Sequence, residues 1–202
     1  MKISEMKQAV YLLNEEWNLG KKEAKAEGNI CAWIYLMGIL EESEAIVTYK
    51  EKGKLIGFAG YAKWKSKKHL LRKKLAKIFK IILSLSSKIK DKKGFKQYSN
   101  SYDNYMPKKY DGYFDGEVSI LIVKKEYRGK GIGENLLLEI FQLAKNDNMK
   151  NLSILTDDSC NYKFYEKHEC NQVYKTKIKN FETDKLGNIQ EENAYVYERK
   201  LT

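Results

Sequence analysis

The feature that most constrains the fold is a six-residue apolar run, Val118-Ser-Ile-Leu-Ile-Val123, joined through Arg128-Gly-Lys-Gly-Ile-Gly133 to an amphipathic stretch, Glu134–Asn146. Its β-branched residues favour a strand. Leu137, Ile140, Phe141 and Ala144 recur at helical spacing and line one face of a helix. A strand that runs through a glycine turn into a helix lays that helix back on its own sheet. The chain is therefore read as α/β, a mixed sheet with helices on its faces. A single proline in 202 residues argues against a many-turned β-sandwich.

The remaining pattern supports that class. Ser4 is expected to cap a helix running to about Asn18, with Met6, Val10, Leu13 and Trp17 on one face. A second helix is predicted from about Lys22 to Leu40, carrying Ile30, Trp33, Ile34 and Met37. Ala45–Tyr49 and Leu55–Tyr61 read as two strands of a hairpin joined by Lys52-Gly-Lys54. Downstream, Leu152–Leu155 reads as a strand and Tyr162–Lys167 as a short helix. Val173–Ile178 and Tyr195–Leu201 close the chain as strands, with a turn at Lys185–Asn188. The order is helix, helix, hairpin, insertion, then strand–helix–strand–helix–strand–strand.

The formal net charge of +11 is concentrated in one place. Lys63–Lys93 holds 13 Lys and Arg against one acid, Asp91, a net of +12, so the rest of the chain is nearly neutral. Within it Leu71, Leu75, Ile78, Ile82 and Leu85 recur at helical spacing, so this segment is predicted to be an amphipathic helix. The simplest expectation packs its apolar face on the domain and leaves the lysines in solvent. An anionic membrane surface, a nucleic acid, or a lid over a substrate site are the sharper alternatives.

Several chemistries are disfavoured. Two histidines, His69 and His168, are too few for a zinc site, and no metal is expected. Neither sits in the context of a serine-type triad. Cys31, Cys160 and Cys170 form no C-x-x-C pair and read as reduced thiols of a cytoplasmic protein. The first residues lack a signal-like apolar run, and no apolar stretch reaches the roughly 18 residues of a spanning helix.

Arg128–Gly133 carries the chemistry. Three glycines remove side chains and permit unusual backbone angles, so successive N–H groups can converge on one anion. The start of the following helix adds partial positive charge, and Arg128 and Lys130 add full charges. Such a strand–glycine loop–helix suits a diphosphate. A Walker loop needs Ser or Thr after Gly-Lys, but Gly131 follows Lys130. The dinucleotide fingerprint needs G-x-G-x-x-G, and Glu134 stands where its last glycine belongs. Taken alone, the hexapeptide also fits a plain tight turn.

The pattern R-x-x-G-x-G after an apolar strand resembles the acyl-coenzyme A loop of the GNAT superfamily of N-acetyltransferases. Ser159-Cys-Asn-Tyr-Lys-Phe-Tyr-Glu-Lys-His168 resembles that family's Asn-containing segment ending in Phe-Tyr-Glu-Lys. Both occur in the family's order, and the element order from Ser4 to Leu201 fits as well. The chain departs from the family over about residues 63–116, which are longer and more basic, and at Glu169-Cys170, where a glycine is usual. The resemblance implies one GNAT-like domain over residues 1–202, with an insertion at about 63–116 and a mostly antiparallel central sheet flanked by helices.

By the same resemblance, the amides of Arg128, Gly129, Lys130, Gly131, Ile132 and Gly133 hold the pyrophosphate of acetyl-CoA. Leu121, Ile122 and Val123 face its pantetheine arm through backbone groups, and Asn161 contacts the arm from the other side. Tyr165 protonates the leaving thiolate, a fitting task for a phenol of pKa near 10. Glu117 is the base for the acceptor amine, directly or through water, with Asp115 in reserve. Alternation places Glu117 on the face of Ser119, Leu121 and Val123. Bland roles compete: a core aromatic for Tyr165, a solvated strand-end carboxylate for Glu117.

The implied function is an N-acetyltransferase acting by direct attack of a primary amine in a ternary complex. Tyr102, Tyr105, Tyr110 and Tyr113, with Asp103, Asp111 and Asp115, suit a cationic acceptor. Packing the insertion onto the sheet is their plainer use. Two other functions stand beside it: an acyl-CoA sensor without catalysis, and a basic-helix module for nucleic acid or anionic membrane. The acceptor, a small molecule or a peptide, is left open, and a homodimer is compatible with the sequence.

Overall fold

A computed structural model of the chain describes residues 1–17, 25–89, 105–183 and 189–201. Six strands form one sheet in the order β1-β2-β3-β4-β6-β5. Its residues group into two compact units. One comprises Met1–Lys90 and Val118–Asn148; the other comprises Asp91–Glu117 and Met149–Thr202. Strand β3 (Gly116–Val123) passes from one to the other. Antiparallel pairs join β1 to β2, β4 to β6 and β5 to β6, while β3 and β4 pair in parallel. The expected mixed, mostly antiparallel sheet with flanking helices is thus the fold observed.

The first unit begins with helix α1 (Ile3–Trp17). Its cap is not Ser4, which lies inside the first turn. The amide of Met6 bonds the Lys2 carbonyl at 2.9 Å, making Lys2 the N-cap, and the Glu5 carboxylate reaches back to the Lys2 amide at 2.6 Å. This is the acidic half of a capping box, and it satisfies one of the helix's orphan donors. Helix α2 (Lys25–Glu42) follows, then β1 (Ser43–Glu51) and β2 (Lys54–Lys63). The hairpin turn uses Lys52 and Gly53 at φ 48° and 77°. Two positive φ angles match the right-handed twist of the strands they join.

Leu55 to Ala62 are buried without a break, so β2 is covered on both faces. Two glycines in it allow close approaches that the sequence does not announce. A Cβ at Gly60 would lie 2.9 Å from Ser119 Oγ, where the Ser119 and Ser43 hydroxyls bond at 2.8 Å. A Cβ at Gly57 would lie 2.8 Å from the carbonyl of Ile122. Helix α4 (Ile132–Asn146), which follows β3 in the chain, packs Leu136, Leu137, Ile140, Phe141 and Ala144 inward, as its spacing predicts.

Helix α3 (Leu70–Ser84) is shorter than the basic segment and inverted relative to expectation. Three of its charged side chains, Arg72, Lys73 and Lys80, turn inward, while Lys74 and Lys77 stay exposed. The Arg72 guanidinium donates to the Ser43 carbonyl, Lys73 meets Glu44 at 2.5 Å, and Lys80 meets Glu41 at 2.5 Å. Ala76 is the residue of α3 that is fully buried, and a Cβ at Gly38 of α2 would sit 3.8 Å from the Lys80 stem. The cause is electrostatic. The C-terminal end of α2 presents carbonyls and a partial negative charge, reinforced by Glu41 and Glu44, and a basic helix face satisfies both. The apolar face predicted to pack is left outward: Leu71 is 73% exposed and Ile82 58%.

A polar cluster ends α4. Asp147 accepts from the Tyr61 hydroxyl at 2.7 Å and from Lys68 at 2.6 Å, while Lys63 donates to the Asp147 carbonyl at 2.5 Å. The Lys68 bond first, then that of Tyr61, holds the Asp147 carboxyl below its ordinary value. Its stabilising effect is therefore full above the ordinary aspartate pKa of about 3.9 and is lost as pH falls through the lower folded value. Asp147→Asn is expected to cost about 1 kcal/mol at pH 7, Lys68 being largely in solvent. Urea midpoints of variant and parent, well apart at pH 7, should draw together as pH falls below the ordinary aspartate pKa of about 3.9; equal midpoints at pH 7 would refute the role.

The second unit holds β4 (Asn151–Asp157), a short helix α5 (Lys163–Glu166), β5 (Asn171–Thr183) and β6 (Ile189–Lys200). Leu152, Ile154, Ile178, Val196 and Tyr197 form its core. Tyr110, Tyr113, Phe114 and Tyr174 make a ring cluster at centroid separations of 4.9–6.4 Å. The turn expected at Lys185–Asn188, and Tyr98, Tyr102 and Asp103, lie outside the described residues.

Candidate functional site

In the first unit, β3 ends at Val123 and a single 3-10 turn, Lys125–Tyr127, leads to the glycine loop. Gly129 and Gly131 both have φ 76°. Nothing lies within 4 Å of a Cβ at either position, so backbone angle and not space demands glycine there. Gly133 differs: it lies within α4, away from the left-handed region.

The first helical bond of α4 runs from the Asn135 amide to the Gly131 carbonyl at 3.0 Å. The amides of Ile132, Gly133 and Glu134 are thus the orphan donors of a helix start. Those of Gly129, Lys130 and Gly131 have no backbone acceptor among the described residues either. Six consecutive N–H groups are available around an exposed loop at the positive end of a helix dipole, an arrangement suited to an anion with several oxygens.

Arg128 departs from expectation: its amide, expected in the cradle, donates to the Lys125 carbonyl at 3.2 Å. Its Nε donates to the Val123 carbonyl at 3.0 Å and its guanidinium pairs with Glu16 of α1, which also accepts from the Lys125 amide at 2.8 Å. The charge expected to face a phosphate is neutralised within the protein, and the side chain instead ties the loop to the strand end. Lys130 lies over the Tyr127 ring at 4.7 Å. Leu121 is half-buried, whereas Ile122 and Val123 are buried. The Lys124 amide bonds the Ile56 carbonyl at 2.9 Å, which anchors the end of β3 to β2.

In the second unit, Glu117 is half-buried and stands opposite Ser153 in a parallel ladder that includes one other pair, Gly116 with Leu152. Asp115 is otherwise occupied. Its carboxylate accepts from the amides of Lys150 at 2.6 Å and Asn151 at 3.4 Å, which makes it a turn cap at the start of β4. Tyr110 and Tyr113 are also engaged, donating to the Val173 carbonyl at 2.9 Å and to Glu198 at 2.8 Å. Packing is their observed use.

Tyr165 sits on α5 with its ring 5.9 Å from Tyr197 and 5.4 Å from Phe164. Its carbonyl accepts from the amides of His168 at 3.0 Å and Cys170 at 3.2 Å. Glu169 takes φ 56° in the turn between them, so a non-glycine residue occupies the strained angle for which the family usually has glycine. Burial raises the Tyr165 phenol well above its ordinary value, with smaller contributions from Cys160, Cys170 and Asp157. Its hydroxyl has no hydrogen-bond partner among the described residues. Asn161 is exposed just before α5, its carbonyl accepting from the Phe164 amide at 3.0 Å.

The approach to Asn161 is braced by residues that sequence reasoning passed over. Asp157 accepts from the Ser159 amide at 2.9 Å and hydroxyl at 2.5 Å. Asp158 accepts from the Tyr195 hydroxyl at 2.7 Å and the Asn193 amide group at 2.7 Å, tying this turn to β6. The bond to Asp158 pushes the Tyr195 phenol up to about 12. The signal present in the sequence was the Asp-Asp-Ser run, a turn former of the Asx type.

Comparison with known proteins agrees with this architecture. Residues 94–169 match the family model described as an acetyltransferase (GNAT) domain. A search of curated proteins found no relative. Among solved structures, an N-acetyltransferase from Staphylococcus aureus Mu50 is similar at 18% identity and TM-score 0.57, covering 100% of this chain and 96% of its own. The ribosomal-protein-S18-alanine N-acetyltransferase from Escherichia coli is similar at 12% identity and TM-score 0.53, over 100% of this chain and 91% of its own. An aminoglycoside 6'-N-acetyltransferase complexed with coenzyme A is similar at 14% identity and TM-score 0.55, over 100% and 93%. At these identities the likeness is one of fold.

Proposed function

We propose that this protein, residues 94–169 of which match a GNAT acetyltransferase domain model, is an acyltransferase that moves an acetyl group from acetyl-CoA to a primary amine by direct attack in a ternary complex. The observation that carries the proposal is the run of six amides from Gly129 to Glu134, without a hydrogen-bond acceptor among the described residues, at the start of α4. They suit the paired phosphates of the coenzyme without any side-chain cation, which fits the neutralised Arg128. Leu121, Ile122 and Val123 offer backbone groups to the pantetheine arm, and Asn161 offers an exposed side chain to it.

In this mechanism Glu117 takes a proton from the acceptor ammonium, directly or through water. An amine of pKa near 10 is only about 0.1% neutral at pH 7, so a base at this point matters. The freed nitrogen attacks the acetyl carbonyl carbon, a C–N bond forms and the C–S bond breaks. Tyr165 gives its phenolic proton to the departing thiolate. Burial raises its pKa above the near-10 match expected from the sequence, so the proton stays in place throughout the neutral range but is given up less readily than by an ordinary phenol. Residues 1–202 act as one catalytic domain, with residues 63–116 as an insertion. The proposed steps call on no metal. The acceptor is an amine of a small molecule or a peptide, as in the names of two structural neighbours. Three free thiols suit a cytoplasmic setting.

Titration calorimetry with acetyl-CoA and CoA is expected to register binding. A thiol-release assay against peptides, polyamines and aminoglycosides should then find at least one acceptor. Glu117→Gln should lower that turnover about 10²-fold near neutral pH, less as pH rises and the amine loses its own proton. Absence of heat with either coenzyme would end the proposal. Binding without thiol release on any amine would instead make the protein an acyl-CoA sensor.

A further inference from the structure

The inverted packing of α3 leaves an apolar seam facing outward. Leu71, Leu75, Ile78 and Ile82 lie one above another on the same helix face and are 48–73% exposed. Phe79 and Leu85 extend the patch, at 55% and 74% exposure. A contiguous apolar face of this size marks a docking surface more than a chance exposure. Its flank is basic. Lys74 and Lys77 are exposed beside the seam and have no acidic partner among the described residues, while Lys73 and Lys80 are spent on Glu44 and Glu41. Residues 63–89 contain ten Lys and Arg and no acid.

These two properties select the partner. A nucleic acid would want the cations in front and has no use for an aliphatic seam. A second copy of this chain would bring Lys74 and Lys77 against their own counterparts, where like charges oppose the contact. A bilayer with anionic headgroups takes both at once: aliphatic side chains enter the acyl boundary and flanking ammoniums meet phosphates. Among the described residues no helix is long and apolar enough to span a membrane, so an in-plane helix is the mode that remains. We infer that the outward face of α3 docks the protein on an anionic lipid surface, lying in the plane of the interface. The inference is independent of the acetyl-transfer chemistry.

Co-sedimentation of the full chain with vesicles tests it. Binding is expected to phosphatidylglycerol–phosphatidylcholine vesicles, and to be at least about 10-fold weaker on pure phosphatidylcholine. Leu75→Asp with Ile82→Asp should abolish binding while the far-ultraviolet circular dichroism is kept. Lys74→Gln and Lys77→Gln, outside the inward salt bridges, should each weaken it about 5-fold. No binding to the anionic vesicles, or equal binding to both kinds, overturns the inference. So does a dimer in light scattering that the Leu75→Asp, Ile82→Asp variant converts to monomer, since the seam would then be covered by a second copy.

Discussion

Tyr165→Phe is expected to leave acetyl-CoA binding unchanged and to lower turnover about 10²-fold. Removing one hydroxyl leaves the ring, which packs against Tyr197 and Phe164, so the local fold has little reason to change. What disappears is the proton. Without it the departing thiolate must take one from water, or leave charged inside a partly desolvated site. Burial holds the phenol above its ordinary value of about 10, so the parent's kcat/KM should show no loss attributable to this group up to about pH 10. Turnover equal to the parent's with every accepted amine would remove Tyr165 from the mechanism.

The second large effect belongs to Gly131. Valine there must adopt φ 76°, where a β-branched residue clashes with its own backbone at a cost of about 1–2 kcal/mol or more. The loop either keeps its shape at that cost or relaxes and turns its amides away from a common point. Coenzyme affinity is expected to fall about 10-fold or more in calorimetry, with the fold retained, since nothing surrounds the added side chain. Gly133→Ala is the matched control. Its position is helical, and affinity should stay within about 2-fold. If Gly131→Val binds as tightly as the control, the amide cradle is not the coenzyme site.

Local chemistry explains why so much of this protein could be read in advance. The strand at Val118–Val123, the glycine loop and the helix after it depend on side-chain period and on backbone angles that only glycine adopts cheaply, and both are properties of neighbouring residues. The element order followed from the same periodicities. So did the hairpin, whose Lys52-Gly53 turn carries its own signature. Element ends were less legible. Strands β5 and β6 run well past their apolar cores because ladder hydrogen bonds continue through polar residues such as Lys177 and Glu191.

The sequence by itself determined the α/β class, the strand–loop–helix that carries the candidate chemistry, and the amphipathic character of α3. Only the tertiary structure decided which way amphipathic and charged groups face. Arg128 turns from the loop because Glu16, far away in the chain, sits beside it, and α3 turns Lys73 and Lys80 inward because Glu44 at the start of β1 and Glu41 at the end of α2 meet them. Asp115 leaves the list of bases because Lys150 and Asn151 present it with amides. Periodicity says that a helix has two faces. It does not say which face has the stronger partner, because charge pairing acts through space between residues that no local pattern connects.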